Sequence, residues 1–310
     1  MPTLVTINAL DLYGDDTDEQ QRRYEGVEAL LRELDADIIA VQELRVPRPA
    51  PTPRRVQRAA AAARLLRHAE AAQQVGAQVR LRRLAEAVGR RCDTGDRTDN
   101  LLLGVGGGVH HVGLLWNDDT VAALPGRVQR FGRDAGMWHS MVTAVFDLGN
   151  GVLARVGSVH LPPFDQTWAI RDTSQILRAI HADTLPGFLG GDFNNLSAVK
   201  VADPAAPGAE AYFDPDPYAG LAWHPQHVYQ LDADGVADRR AAHRLEAEHL
   251  GRMHDCAVLT GQPWTPDDRA PPQRRASTPA AGPLVRHPPR PGRGGPPALG
   301  RPRRAGWRPD

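Results

Sequence analysis

Apolar residues in this chain fall into short runs, and several of the runs end abruptly in a polar side chain. Leu4-Val5-Thr6-Ile7 gives way to Asn8, Ile38-Ile39-Ala40-Val41 to Gln42-Glu43, Val156-Gly157-Ser158-Val159 to His160, and Phe188-Leu189-Gly190-Gly191 to Asp192. Runs this short, rich in β-branched residues, read as strands rather than buried helices. Between the first two, an aspartate-rich loop over Gly14 to Glu19 precedes Val27, Leu30, Leu31 and Leu34, which follow the i, i+3, i+4, i+7 spacing of an amphipathic helix. Strand, helix, strand is the opening of an α/β sheet.

The remainder extends that reading. Residues 46–54 are rich in Pro and Arg and predict a loop, and Val56 to Gly89, rich in Ala, Leu and Arg with no proline, predicts a long helix. Strands are expected at Val112 to Trp116, Met141 to Leu148 and Val152 to Leu161, the last two joined by the hairpin signal Gly149-Asn150-Gly151. A helix is expected from Asp165 to Ala182 with Ile176, Leu177 and Ile180 on one face, then the strand ending at Asp192. Val201 to Ala237 reads as a long loop, Asp238 to Leu250 as a helix, and Cys256 to Leu259 as a last apolar strand.

From Asp267 onward the 44 remaining residues contain 11 Pro, 6 Gly and 10 Arg. Such a segment buries too little apolar surface to offset its ordering entropy, so residues 266–310 are expected to be a disordered tail behind a domain over 1–265.

Charge and cysteine content narrow the classes. Acidic and basic residues balance at 37 each, so no global field draws in polyanions, and every cation but Lys200 and the histidines is an arginine. Two cysteines, Cys92 and Cys256, are too few for a disulfide framework or a thiolate metal site. No run approaches the ~20 apolar residues of a membrane span, and no apolar signal region precedes Leu4, so a cytoplasmic location is expected.

Taken singly, each polar strand end is ordinary; together they carry chemistry. Carboxylate and amide oxygens are the hard donors that Mg²⁺ prefers, and Glu43, Asp192, Asn8 and Asn194 supply them. In order and spacing, "INAL", "DIIAVQEL", "GSVHLPP" and "GGDFNN" resemble the endonuclease/exonuclease/phosphatase superfamily, over about residues 3 to 265. The resemblance implies an α/β fold, a two-sheet α/β sandwich of the deoxyribonuclease I type, acting as a Mg²⁺- or Mn²⁺-dependent phosphoesterase on a phosphate-ester substrate, nucleic acid among the candidates. It further implies that Asn8, Glu43, Asp192 and Asn194 hold the metal, with Glu43 the main carboxylate. His160 would bind the scissile phosphate, Asp192 would orient or deprotonate the attacking water, and Asn194 would serve phosphate or metal. Trp116 matches the family's Leu-Leu-Trp strand and Trp138-His139 falls where the family often places a loop near the site, but core packing and ordinary loop roles are the better account of them.

The family's closing Asp-His pair is missing. Only His254-Asp255 stands late in the chain, in reversed order. The tail has the composition that an alternative frame of GC-rich DNA gives, and it reads as a frameshifted or degenerate end. Three functions follow from the residues: a working metal-dependent phosphoesterase, a catalytically impaired relative, or a chain whose Arg-rich tail is a nonspecific nucleic-acid-binding arm.

Overall fold

A computed structural model describes residues 2–47, 59–95, 100–214, 231–232 and 234–262. The expected disordered tail, the loop beyond residue 47 and residues 215–230 of the expected long loop lie outside them.

Two four-stranded sheets form the body. The first has the order β1-β2-β4-β3, from β1 (Leu4–Leu12), β2 (Ile38–Arg45), β3 (Leu103–Gly104) and β4 (His110–Trp116). The second has the order β5-β6-β7-β8, from β5 (Ala122–Phe131), β6 (Met141–Asp147), β7 (Leu153–His160) and β8 (Gly187–Asp192). Helices α1 (Asp18–Leu34) and α2 (Ala59–Ala87) belong with the first sheet, and α3 (Gln166–Ile180) with the second.

Strand alternation explains the layers. Ile39 and Val41 of β2 join Tyr24, Leu31, Leu81 and Leu84 in one apolar cluster, whereas Ile38 and Ala40 join Leu114, Trp116, Val142, Phe146 and Val156 in another. Successive side chains of a strand point to opposite faces, so β2 packs helices on one side and the second sheet on the other. A third cluster seats Ala169, Ile176 and Ala179 of α3 against Met141 and Val159. The arrangement is a two-sheet α/β sandwich, as the sequence led us to expect.

Local chemistry fixes the ends. Thr17 caps α1 by accepting from the Gln20 N–H at 3.3 Å, and Asp165 caps α3 by accepting from the Thr167 N–H at 2.7 Å. The β6–β7 hairpin turns where expected, with Asn150 and Gly151 at positive φ.

Several expectations need correction. Of the four apolar positions read on α1, Leu31 is buried and Val27 packs against the core, but Leu30 and Leu34 are exposed; Tyr24 completes the inner face. Strand β5 went unread because Pro125 and Gly126 interrupt it. It is an edge strand whose register with β6 shifts between Ala123 and Val128, where a proline is tolerated. The start of the expected loop after Val201 instead carries a small hairpin of β9 (Lys200–Ala202) and β10 (Glu210–Tyr212). The helix expected over Asp238 to Leu250 forms only as α4 (Arg240–Glu246). Cys256 to Leu259 is not a strand but the short helix α5 (Cys256–Thr260): Asp255 caps its start through the Ala257 N–H at 2.8 Å, and Gly261 ends it in the left-handed region.

Candidate active site

The parallel strands β1, β2, β7 and β8 all finish at one end of the sandwich, which brings their polar last residues together. Asn8 pairs in register with Gln42, and His160 with Asp192. The sheets are also tied there by polar contacts: the Gln42 side-chain amide donates to Ser158 Oγ at 3.0 Å, and that hydroxyl donates to the Val41 carbonyl at 3.0 Å.

Bulges aim the side chains. The β1–β2 register shifts between Asn8 and Leu12, and the β2–β4 register shifts between Val41 and Leu44. Within those bulges Leu10, Asp11 and Glu43 have φ of 46°, 59° and 62°, a left-handed backbone that costs a non-glycine residue about 1–3 kcal/mol. Three such residues at one spot are sustained by the surrounding hydrogen bonds: Glu43 accepts from the Asp11 N–H at 3.0 Å, and Asn8 Oδ1 accepts from the Leu10 N–H at 3.0 Å.

Asn8 sits between two carboxylates. Its Nδ2 donates to Glu43 Oε1 at 3.1 Å and to Asp192 Oδ2 at 2.7 Å. Oxygens of Glu43 and Asp192 and a ring nitrogen of His160 all lie within 4.8 Å of one another. Among the described residues no arginine or lysine forms an ion pair with either carboxylate. Asn194 stands beside them, its N–H donating to Asp192 Oδ1 at 2.9 Å and its side-chain amide to the Leu161 carbonyl at 2.8 Å.

Glycines allow this convergence by close approach rather than by turning. Gly190 and Gly191 lie inside β8, and a Cβ at Gly190 would meet Thr6 Cβ at 2.8 Å and Ala40 Cβ at 2.9 Å. What is needed there is room for two sheets to touch.

A histidine group forms one wall. His160 and His139 stack with ring centroids 4.0 Å apart and planes 2° from parallel, and His110 lies 6.4 Å from His160 and 5.9 Å from His139. Burial strips His160 of water and, with His110 beside it, pushes its ring down to about 3; burial, helped by His160 and His110, pushes His139 to about 2. His160 is therefore neutral near pH 7, and its 3.8 Å approach to Asp192 is not an ion pair there. His111 is likewise held neutral, pushed to about 3 by burial and then by His110, with the Gly106 N–H on its Nδ1 and the Gln73 side-chain oxygen on its Nε2.

The strand-end motifs thus bring Asn8, Glu43, His160, Asp192 and Asn194 together. Trp116 is core, its ring packed edge-on against Phe146, and Trp138 forms an aromatic group with Phe164 and Trp168. The late pair does not take the part of the closing Asp-His: Asp255 caps α5 and His254 is exposed. Sequence reading missed Asp11 and His110. The signal was present in His110-His111, polar residues at the start of an apolar strand. Because β4 runs antiparallel to β2, its first residue lies at the same edge as the last residues of β1 and β2.

Comparison with known proteins follows the geometry. Residues 10–276 match the Endonuclease/Exonuclease/phosphatase family, and among curated proteins none matches the chain. Solved structures similar to it include a functionally unknown conserved protein from Enterococcus faecalis V583, at 17% identity and TM-score 0.40, with 63% of this chain and 67% of that one covered. Another is an endonuclease/exonuclease/phosphatase family protein from Bacteroides thetaiotaomicron, at 14% identity and TM-score 0.41, covering 63% and 62%. A third is D. rerio TDP2 complexed with a single-strand DNA product, at 13% identity and TM-score 0.37, covering 64% and 62%. The chain spans about two thirds of the length of these structures. The family match, over most of the chain, shows that this protein belongs to the Endonuclease/Exonuclease/phosphatase family, whose members carry out phosphoesterase- or nuclease-type hydrolysis.

Proposed function

We propose that this protein is a divalent-metal-dependent phosphoesterase with its active site at the shared strand ends. One observation carries the reading: Glu43 and Asp192, from different sheets, converge on Asn8 beside the buried His160, with no cation among the described residues paired to either carboxylate. Two facing carboxylates bridged only by a neutral amide suit a hard divalent cation such as Mg²⁺ or Mn²⁺.

Glu43 and Asp192 would hold the metal, which when bound would act as a Lewis acid on a phosphoryl oxygen. Asn8 keeps the two carboxylates in register. It offers them its amide N–H groups while its Oδ1 accepts from Leu10, so ligation by Asn8 requires the amide to turn. Asp192, fixed by Asn8 and the Asn194 N–H, orients the attacking water and accepts its proton. His160, neutral and water-poor, offers a ring N–H to a phosphoryl oxygen, where such a bond gains strength from exclusion of solvent. Asn194 positions Asp192.

Hydrolysis of bis(p-nitrophenyl) phosphate by the full chain, with Mg²⁺ or Mn²⁺, tests the reading. Turnover that needs the metal and that Glu43→Ala and Asp192→Ala each lower by at least ~10²-fold is expected. Metal-independent turnover, or none above these variants, would contradict it and favour an impaired relative.

A further inference from the structure

Beside the proposed metal site stands a second constellation. His110 Nε2 and Asp11 Oδ1 are 2.6 Å apart, and Asp11 Oδ2 accepts from Arg45 Nη1 at 3.1 Å. Both carboxylate oxygens are thus engaged, so the imidazole is oriented as a third group orients the base of a catalytic triad. A ring nitrogen of His110 and oxygens of Asp11 and Glu43 lie within 4.8 Å of one another, which puts the ring at the carboxylate edge.

The other histidines of this wall are too deeply buried to exchange protons with solvent. His111, His139 and His160 are between 0% and 4% exposed, whereas the His110 side chain is 25% exposed. Breaking a phosphate ester whose leaving group is an alkoxide requires a proton at the departing oxygen. We propose, resting on the phosphoesterase reading above, that His110 is the general acid of this site and Asp11 its positioning residue.

In the step, the water oxygen bonds to phosphorus and its proton passes to Asp192. The bond from phosphorus to the leaving oxygen breaks, and that oxygen takes a proton from the His110 ring. The ring keeps its Nε2 contact with Asp11 and regains a proton from solvent as Asp192 releases its own. A second metal held by Asp11, Glu43 and His110 is the competing use of these atoms. It is disfavoured because the Arg45 guanidinium already neutralises Asp11 and would repel another cation.

Leaving-group dependence tests the assignment. Nitrophenolate departs without a proton and an alkoxide does not, so the full chain is assayed on bis(p-nitrophenyl) phosphate and on thymidylyl-(3′,5′)-thymidine. His110→Gln, whose amide can still donate to Asp11, is compared with His110→Ala. Both variants are expected to slow the dinucleotide by ~10²- to 10⁴-fold and the nitrophenyl ester by less than ~10-fold, with Mn²⁺ stoichiometry by titration calorimetry unchanged. Equal loss on both substrates, no loss on the dinucleotide, or a lost Mn²⁺ equivalent would overturn the assignment while leaving the phosphoesterase reading in place. A wild-type chain inert to both substrates would overturn the phosphoesterase reading itself, and this proposal with it.

Discussion

At the scale of single residues, the site is built from conformations and charges that a stability-driven sequence would avoid. Glu43 adopts φ of 62° at the point where its carboxylate faces Asp192, and three neighbouring histidines lie buried with their charged forms suppressed. The histidines make stability depend on pH. His111 is pushed to about 3 in the fold, and an unfolded histidine titrates near its ordinary value of ~6.5. Between those values the unfolded chain binds more protons than the native one, so the stability this residue contributes is full above ~6.5 and is lost as pH falls toward about 3. His139 and His160 act in the same direction. Urea midpoints should therefore fall steadily from pH 7 to pH 4.5, and less steeply in His111→Gln; a midpoint that held level or rose on acidification would contradict buried neutral rings.

At the scale of elements, the sheet contact at the site is set by glycine. A methyl at Gly190 would press into Thr6 and Ala40, so Gly190→Ala should destabilise by about 1–3 kcal/mol in urea unfolding. Gly26, exposed in the middle of α1 with open space around it, is the opposite case: Gly26→Ala should stabilise by ~1 kcal/mol through helix propensity. Equal effects at the two positions would mean that backbone entropy, not sheet contact, decides both. These elements also show why some of the molecule was legible in the sequence. Strands buried on both faces, such as Ile38 to Val41, announce themselves as apolar runs, and so their polar ends Glu43 and His160 were found with them; β8 is only partly buried, with Phe188 exposed, yet its short apolar run still led to Asp192. The edge strand β5 is half-exposed, carries Arg127 and Arg130, and bends at Pro125-Gly126, so it had no such run to show. Residues Cys256 to Leu259 are apolar enough for a strand, but a capping aspartate before them and a glycine after them make one helical turn. His110 was hidden because its place in the site depends on β4 running antiparallel to β2, a pairing that no local pattern encodes.

For the whole molecule, a balanced net charge leaves recognition of an anionic ester to the site itself rather than to a surrounding field. Among the described residues no helix is long and apolar enough to cross a membrane. What unites the molecule is that two sheets, each supplying one carboxylate, meet at a single edge. If Glu43 and Asp192 form one metal-dependent centre, removing either should disable it almost as fully as removing both, because groups that act as a unit are not additive. The measurement is kcat/KM for a phosphodiester with Mn²⁺ in Glu43→Gln, Asp192→Asn and the double variant. A double variant no slower than the worse single one, within ~10-fold, is the result expected of a joint centre. Losses that multiply across the two positions, or a single variant that keeps wild-type activity, would contradict it.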